Sequence, residues 1–319
     1  MSTADTQTGA RRTPGLVPVS ETRRSAERAA APPEPEPSVL SEPEPSGGVV
    51  AFWRLLRSEL GLTFRRPRNL IMLGVLALVP VIIGIVLKSI GTEDADGGMG
   101  ALLAATAGNS LMLTFVALSA LVPLLMPIAV AVVAGDSIAG EAGAGTLRYL
   151  LAAPAGRGRL LAVKYLNAVI FAVAVTAAVA VSALVVGVAL FPVGPVTLLS
   201  GTTVSFADGL LRILVTVGYV SAGMAALAAV ALALSTLTEV SIGAIAATLV
   251  LIIVTQVLRA FPQLDWLAPY LLPTHWSGFD GALRDPIGDM SGGLLAFTAY
   301  IALFLSIAWA RFSGKDISS

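Results

Sequence analysis

The sequence predicts an all-α polytopic membrane protein with six transmembrane helices, and three observations carry that reading. Of the 319 residues 56% are hydrophobic and 13% charged, and the mean hydropathy is +0.85. That leaves too little polar material to clothe a soluble domain. Six apolar runs approach or exceed the roughly 20 residues that cross a bilayer: 69–90, 111–135, 162–191, 209–234, 240–259 and 292–311. Charge is sorted between their connections. Arg54 to Arg68 (five arginines), Arg148, Arg157, Arg159, Lys164, Arg311 and Lys315 fall on the side of the termini. The opposite side holds Lys88, Arg212, Arg259 and Arg284 with eight acids, Glu93, Asp94, Asp96, Asp208, Asp265, Asp280, Asp285 and Asp289. The positive-inside rule then predicts both termini in the cytoplasm. Only three of the 20 basic residues are lysine, which with the richness in Ala, Gly and Val suits a high-GC bacterial genome, so the expected location is a bacterial cell membrane.

Residues 1–48 contain eight prolines and few large apolar side chains. Such a tail buries too little surface to offset chain entropy and is expected to be disordered. No apolar segment near Met1 has the pattern of a cleaved signal peptide. Residues 49–68 read as an amphipathic helix, with Phe52, Trp53, Leu55, Leu56, Leu60, Leu62 and Phe64 on one broad arc and Arg54, Arg57, Ser58, Gly61 and Arg65 opposite. That distribution suits a helix lying flat at the headgroups, stopped by Arg66-Pro67. Glu59 falls inside the apolar arc, either as a snorkelling side chain or as a polar contact to a partner. The spans follow within 69–311, and 312–319 form a short cytoplasmic tail.

Kinks are expected at Pro80, Pro123 and Pro127, and Ser221, Ala222, Gly223, Ala225, Ala226, Ala228 and Ala229 predict close backbone approach along the fourth span. Between the fifth and sixth spans, Phe261 to Asp289 is apolar but broken by Pro262, Pro269, Pro273 and Pro286, the pattern of re-entrant half-helices. Trp266, Tyr270 and Trp276 fit an aromatic belt at the outer interface. His275, the one histidine, has no partners for a metal site or a triad and reads as structural.

The composition and the spans argue against several function classes. A net charge of zero gives no nucleic-acid footprint, and the lack of cysteine removes disulfide, thiolate-metal and thiol-nucleophile chemistry. No paired Glu/His, Asp/Asp or Ser/His set marks an intramembrane enzyme. No ionisable group sits at mid-span, where an ion-driven transporter needs one. The span hydroxyls Thr114, Thr176, Ser182, Thr216, Ser221 and Thr248 read as packing groups, with Asn109, Asn167 and Gln256 near span ends. Gly314-Lys315 lacks the rest of a phosphate-binding loop. Energy is therefore expected from a separate polypeptide.

The polar, Gly-rich and basic island Gly135 to Lys164 separates the second and third spans and faces the cytosol under this topology. Thr146 to Ala153 reads as a two-turn helix of about 12 Å, ended by Pro154, whose Leu147, Leu150 and Leu151 would dock on a partner or on the bundle itself. Within the island, Glu141, Gly145-Thr146-Leu147-Arg148, Leu150-Leu151, Pro154, Arg157 and Lys164 resemble the cytoplasmic-loop pattern of ABC-2 type permeases, the membrane subunits of ABC transporters. The resemblance extends over the ordered part of the chain: a helix before the first span, the Glu then Gly-Thr-Leu loop, six spans and a hydrophobic outer segment.

The resemblance implies that the amphipathic segment is an elbow helix, with Phe52, Trp53, Arg54, Leu56 and Glu59 as its marking residues. It implies that Thr146 to Ala153 is a coupling helix seated in a groove of a separate ATPase, with Leu147, Tyr149 and Leu150 as its knobs. Glu141 and Arg148 would orient that helix by charge and end-capping, while Gly143 and Gly145 permit the sharp turn into it. Two ATPase copies, carrying ATP and Mg, would pair with this permease and a second permease, most simply another copy. Pro269, Trp266, Tyr270 and Trp276 would belong to an outer gate, against the simpler reading of interfacial anchoring. The implied activity is export of an amphipathic or hydrophobic cargo, such as a drug, antibiotic or lipid-like molecule. The alternatives are an ATPase-independent channel or secondary transporter, and a non-exporting subunit that transmits force.

Overall fold

The structure is a computed structural model that describes residues 48–90, 109–145, 156–197, 202–283 and 289–314. The tail expected to be disordered, the helix expected at 146–153 and residues 315–319 lie outside the described residues. Helix α1 (Gly48–Arg65) precedes α2 (Pro67–Ile90), α3 (Met112–Leu121), α4 (Leu125–Gly143) and α5 (Arg157–Leu190). After a two-residue antiparallel ribbon, β1 (Val196–Thr197) with β2 (Thr203–Val204), come α6 (Phe206–Leu237) and α7 (Ser241–Arg259). The outer segment holds a 3-10 helix at Pro262–Tyr270, α8 (Leu272–Trp276) and a second 3-10 helix at Ser277–Leu283, and α9 (Ser291–Ser313) closes the described part. Among the described residues α2, α4, α5, α6, α7 and α9 are long and apolar enough to cross a membrane, so the chain is an all-α multi-pass membrane protein.

Proline divides the first two helices, because Pro67 cannot continue α1 and is well suited to the first position of α2. The run expected as one span at 111–135 is instead two helices, α3 and α4, separated by a turn at 122–124, and α4 continues to Gly143. The cause is the proline pair. Pro127 has no N–H to give the carbonyl of Pro123, and Pro123 has none to give the carbonyl of Ser119. The freed Pro123 carbonyl accepts instead from Gln256 Nε2 on α7 at 3.1 Å.

The core gathers on α6, 72% of whose most apolar stretch is buried, against 17% for α7 and 11% for α9. The exposed apolar side chains of those outer helices, Ile242, Val250 and Leu295 among them, are surface for acyl chains. Lipid gives little hydrophobic drive for helix to meet helix, so close packing of small residues matters more. Ala225 to Ala233 are buried along α6, and a Cβ on Gly223 would stand 3.0 Å from Trp276 Cδ1 and 3.1 Å from Phe297 Cζ. A Cβ on Gly187 of α5 would strike the Ser110 carbonyl oxygen.

At the end of the bundle where α5 finishes, Asn109 donates to the carbonyls of Gly194 and Pro195, both at 2.9 Å, and accepts the Leu111 N–H at 2.8 Å. The Ser205 hydroxyl caps α6 by accepting the Asp208 N–H at 3.1 Å, and Asp208 adds negative charge to that helix's positive end. Before α9, the Asp289 carboxylate accepts the Ser291 N–H at 2.7 Å. Hydrogen bonds from Ser291 hold that carboxyl below its ordinary range.

Candidate functional site: a charged cleft at one end of the bundle

At the opposite end of the bundle, where α1 and α4 finish and α2 and α5 begin, six ionised side chains from four helices line one cleft of about 210 Å³. Its centre is Lys164, only 3% exposed. The ammonium donates to both Glu59 oxygens at 3.0 Å and is hydrogen-bonded and ion-paired to Glu141. A buried ammonium is tolerated only where it is paired, and each carboxylate comes from a different helix. The lysine therefore fastens α1, α4 and α5 together at one point.

One turn away along α4 from Glu141, Asp136 accepts from Arg66 and Arg68, each at 2.9 Å, and from the hydroxyl of Ser241. Those arginines flank the start of α2 and are about half exposed. Thr63 completes the assembly: its carbonyl accepts from Asn69 Nδ2 and its hydroxyl from Asn167 Nδ2, both at 2.9 Å. The remaining amide oxygens of Asn69 and Asn167 have no hydrogen-bond partner although both residues are buried and line the cleft.

Neighbouring contacts lock the surrounding helix ends. The Ser235 hydroxyl donates to the Gly135 carbonyl at 2.7 Å and accepts the Ala139 N–H at 2.9 Å, so α6 inserts a side chain astride one rung of α4. Ser235 is thus a buried helical residue, and the connection between α6 and α7 is only Thr238–Val240. Arg157 at the start of α5 donates to the Ser313 carbonyl at the end of α9 at 2.5 Å, the favoured place for a cation at a helix C-terminus.

The loop residues singled out from the sequence divide here. Glu141 is in the cleft. Gly145 stands at its rim in the left-handed region, with φ +68°, and Gly156 at the far end of the same connection has φ +72°. A glycine is needed at both turns, and Gly156 carried no signal beyond its residue type. Thr146, Leu147, Arg148, Tyr149, Leu150 and Pro154 lie outside the described residues. On α1 the packed face is narrower than the arc drawn from the sequence: Leu56 and Thr63 are buried and Glu59 largely so, while Trp53, Arg54 and Leu62 are exposed. Phe52, half-buried, meets Trp53 edge-on at 5.9 Å. The polar contact made by Glu59 is inside the chain. Asp136, Thr63 and Asn69 were not visible as site residues in the sequence.

The outer segment Phe261 to Leu283 is held down by donors from three spans. Tyr219 donates to the His275 carbonyl at 2.7 Å, Arg212 to Ala282 at 2.9 Å, Arg259 to Pro273 at 3.0 Å and Tyr300 to Tyr270 at 2.5 Å. His275 Nε2 in turn lies 3.0 Å from the Pro269 carbonyl and so donates to it. Each bond satisfies a carbonyl that a 3-10 or broken helix leaves open. Trp266 and Tyr270 are exposed as an interfacial belt requires, but Trp276 is 3% exposed and packs into the core. Among the described residues no group of three His, Asp or Glu is placed to hold a metal ion.

A family model described as "Protein of unknown function (DUF2705)" matches residues 69–318. No curated protein matches the chain.

Proposed function

We propose that the chain, which belongs to the DUF2705 family over its six-helix part, is the permease subunit of an ABC transporter. In this reading it couples ATP hydrolysis on a separate ATPase to export of an amphipathic or hydrophobic molecule across the bacterial cell membrane. Both termini face the cytoplasm, and the catalytic work, with ATP and Mg, belongs to the partner. The motif resemblance around Glu141 and Lys164 motivates the proposal. The observation that carries it is the Glu59–Lys164–Glu141 knot. Residues 146–155 join Glu141's helix to Lys164's, and the knot ties both of those ends to α1. A push on that connection from a soluble ATPase reaches three helices through one buried ammonium. The tethered outer segment is the matching element at the far side, where it serves as a gate.

Two copies of the ATPase and a second copy of this permease complete the assembly, with the cargo path between the permease halves. The test is to purify the chain with a candidate ATPase and to compare L147D/L150D with the unaltered protein. Lost assembly and lost cargo-stimulated ATP hydrolysis are the expected result. Unchanged assembly and hydrolysis overturn the coupling assignment. Cargo movement that persists without any ATPase points to a secondary transporter, and ATP turnover without cargo movement points to a subunit that transmits force.

A further inference from the structure

We infer that the outward face of α1, with the start of α2, binds anionic phospholipid through Arg54, Arg57, Arg65, Arg66 and Arg68. The inference goes beyond the permease reading and needs no ATPase. Residues 48–68 hold these five arginines and a single acid, Glu59. That acid is turned inward, where Lys164 donates to both of its oxygens. At about 3.6 residues per turn, Arg54, Arg57 and Arg65 fall within an arc of roughly 80°, and the buried Leu56 and Thr63 lie on the opposite side of the helix. All three arginines are exposed, and none has an ion-pair or hydrogen-bond partner among the described residues. The packing of the bundle makes no use of their charge.

Arg66 and Arg68 each give one nitrogen to Asp136, Nη1 and Nη2 respectively, and a guanidinium carries five N–H donors in all. Both side chains remain about half exposed, so each can grip a phosphate while still tied to α4. The depth of the face follows from α5. No ionised residue follows Lys164 in that helix, and Tyr165 to Leu190 rise about 39 Å, more than the roughly 30 Å of hydrocarbon. Lys164 and the turns before it are therefore left at the headgroups. There α1 is fastened through Glu59 and through Thr63, whose hydroxyl accepts from Asn167 at 2.9 Å.

Apolar residues border the arginines. Trp53 and Leu62, both exposed, flank the arc on either side, and Leu70 and Ile71 on α2 are exposed within one turn of Arg68. A phosphate held at Arg66 or Arg68 leaves its acyl chains against that surface. Charge and this apolar margin together select the occupant. A second copy docking face to face would set the same five arginines against these, and a soluble acidic protein has no use for side chains that enter the bilayer. A basic cluster beside a spanning helix draws anionic headgroups with a gain of roughly fivefold in affinity for each arginine.

The full-length protein, delipidated in detergent, would be titrated with phosphatidylglycerol and with phosphatidylcholine of the same acyl chains, read by native mass spectrometry. Phosphatidylglycerol is expected to bind at least tenfold tighter, with a preference that shrinks as salt is raised. R54Q/R57Q/R65Q leaves the Asp136 contacts in place. It should cut phosphatidylglycerol affinity at least tenfold, with choline-lipid binding and the unfolding temperature in choline lipid unchanged. R159Q/R311Q removes charge from other helix ends on the same side and should keep the preference. Equal affinity of the unaltered protein for the two lipids overturns the inference without recourse to any variant. So does a preference that R159Q/R311Q weakens as much as the α1 substitutions do. Soluble glycerol phosphate and polyglutamate serve as competitors. Displacement of the lipid by either at equal concentration gives the face to a free phosphate or an acidic protein and overturns the lipid assignment, whereas failure of both to compete supports it.

Discussion

Lys164 is held by carboxylates from two other helices, so removing it alone and removing the whole group are different perturbations. K164M leaves Glu59 and Glu141 facing each other across a largely buried space. Breaking a buried ion pair by deleting one partner costs about 3–5 kcal/mol, while replacing all members with neutral groups is often close to neutral. The expected outcome is that K164M unfolds at a markedly lower temperature than the parent in detergent, and that E59Q/E141Q/K164M recovers most of the loss. A K164M protein that melts with the parent would show that the knot bears no load. Part of this site is readable in the sequence. Glu59 announces itself as a charge inside an apolar arc, and Lys164 and Glu141 belong to the loop pattern. Their pairing is not readable, because Glu59 and Lys164 are 105 positions apart and no local periodicity relates them. Asn69 and Asn167 look like ordinary polar residues at span ends until the fold places both beside Thr63.

Helices in this bundle are shaped by a few residues whose partners sit on other helices. The α3–α4 break gives a direct case. In the parent, Gln256 donates to the Pro123 carbonyl, a group that Pro127 cannot satisfy. Q256L should therefore cost about 0.5–1.5 kcal/mol for the lost hydrogen bond. With P127A in place, the 127 N–H reaches that carbonyl and Q256L should cost much less, a coupling of about 1 kcal/mol in a thermal double-mutant cycle. Additive effects would show that the turn has another cause. A second element-scale expectation concerns Gly223, where Trp276 closes on α6. Trp276 is the buried member of the four tryptophans, Trp53, Trp266 and Trp309 being 57–69% exposed. G223L should push it outward and red-shift the blue edge of the emission, and an unchanged spectrum would count against the contact. Prolines make such breaks legible in advance, and the apolar runs locate five of the six spans to within about five residues, the run 111–135 being the exception because its spanning helix is Leu125–Gly143. The long-range donors that repair the breaks are invisible in sequence, since an outer carbonyl at Ala282 and its donor Arg212 are 70 residues apart.

At the scale of the whole molecule, the helix ends divide the described connections between two faces, and that division makes a prediction of orientation. Arg57, Arg66, Arg157 and the Thr238–Val240 link belong with the inner cleft, while Asp265, Asp280 and Asp289 lie with the outer segment. Eleven basic residues sort to the first face in the sequence, and a membrane retains basic loops on its cytoplasmic side. Because the chain has no cysteine, single cysteines can report on each face without background. In intact cells a membrane-impermeant maleimide should label D265C and D289C readily. It should label R57C and T238C only after the membrane is opened. Labelling of R57C and T238C in intact cells would invert the topology. It would carry the cleft to the outer face and leave the 146–155 connection out of reach of any cytosolic ATPase.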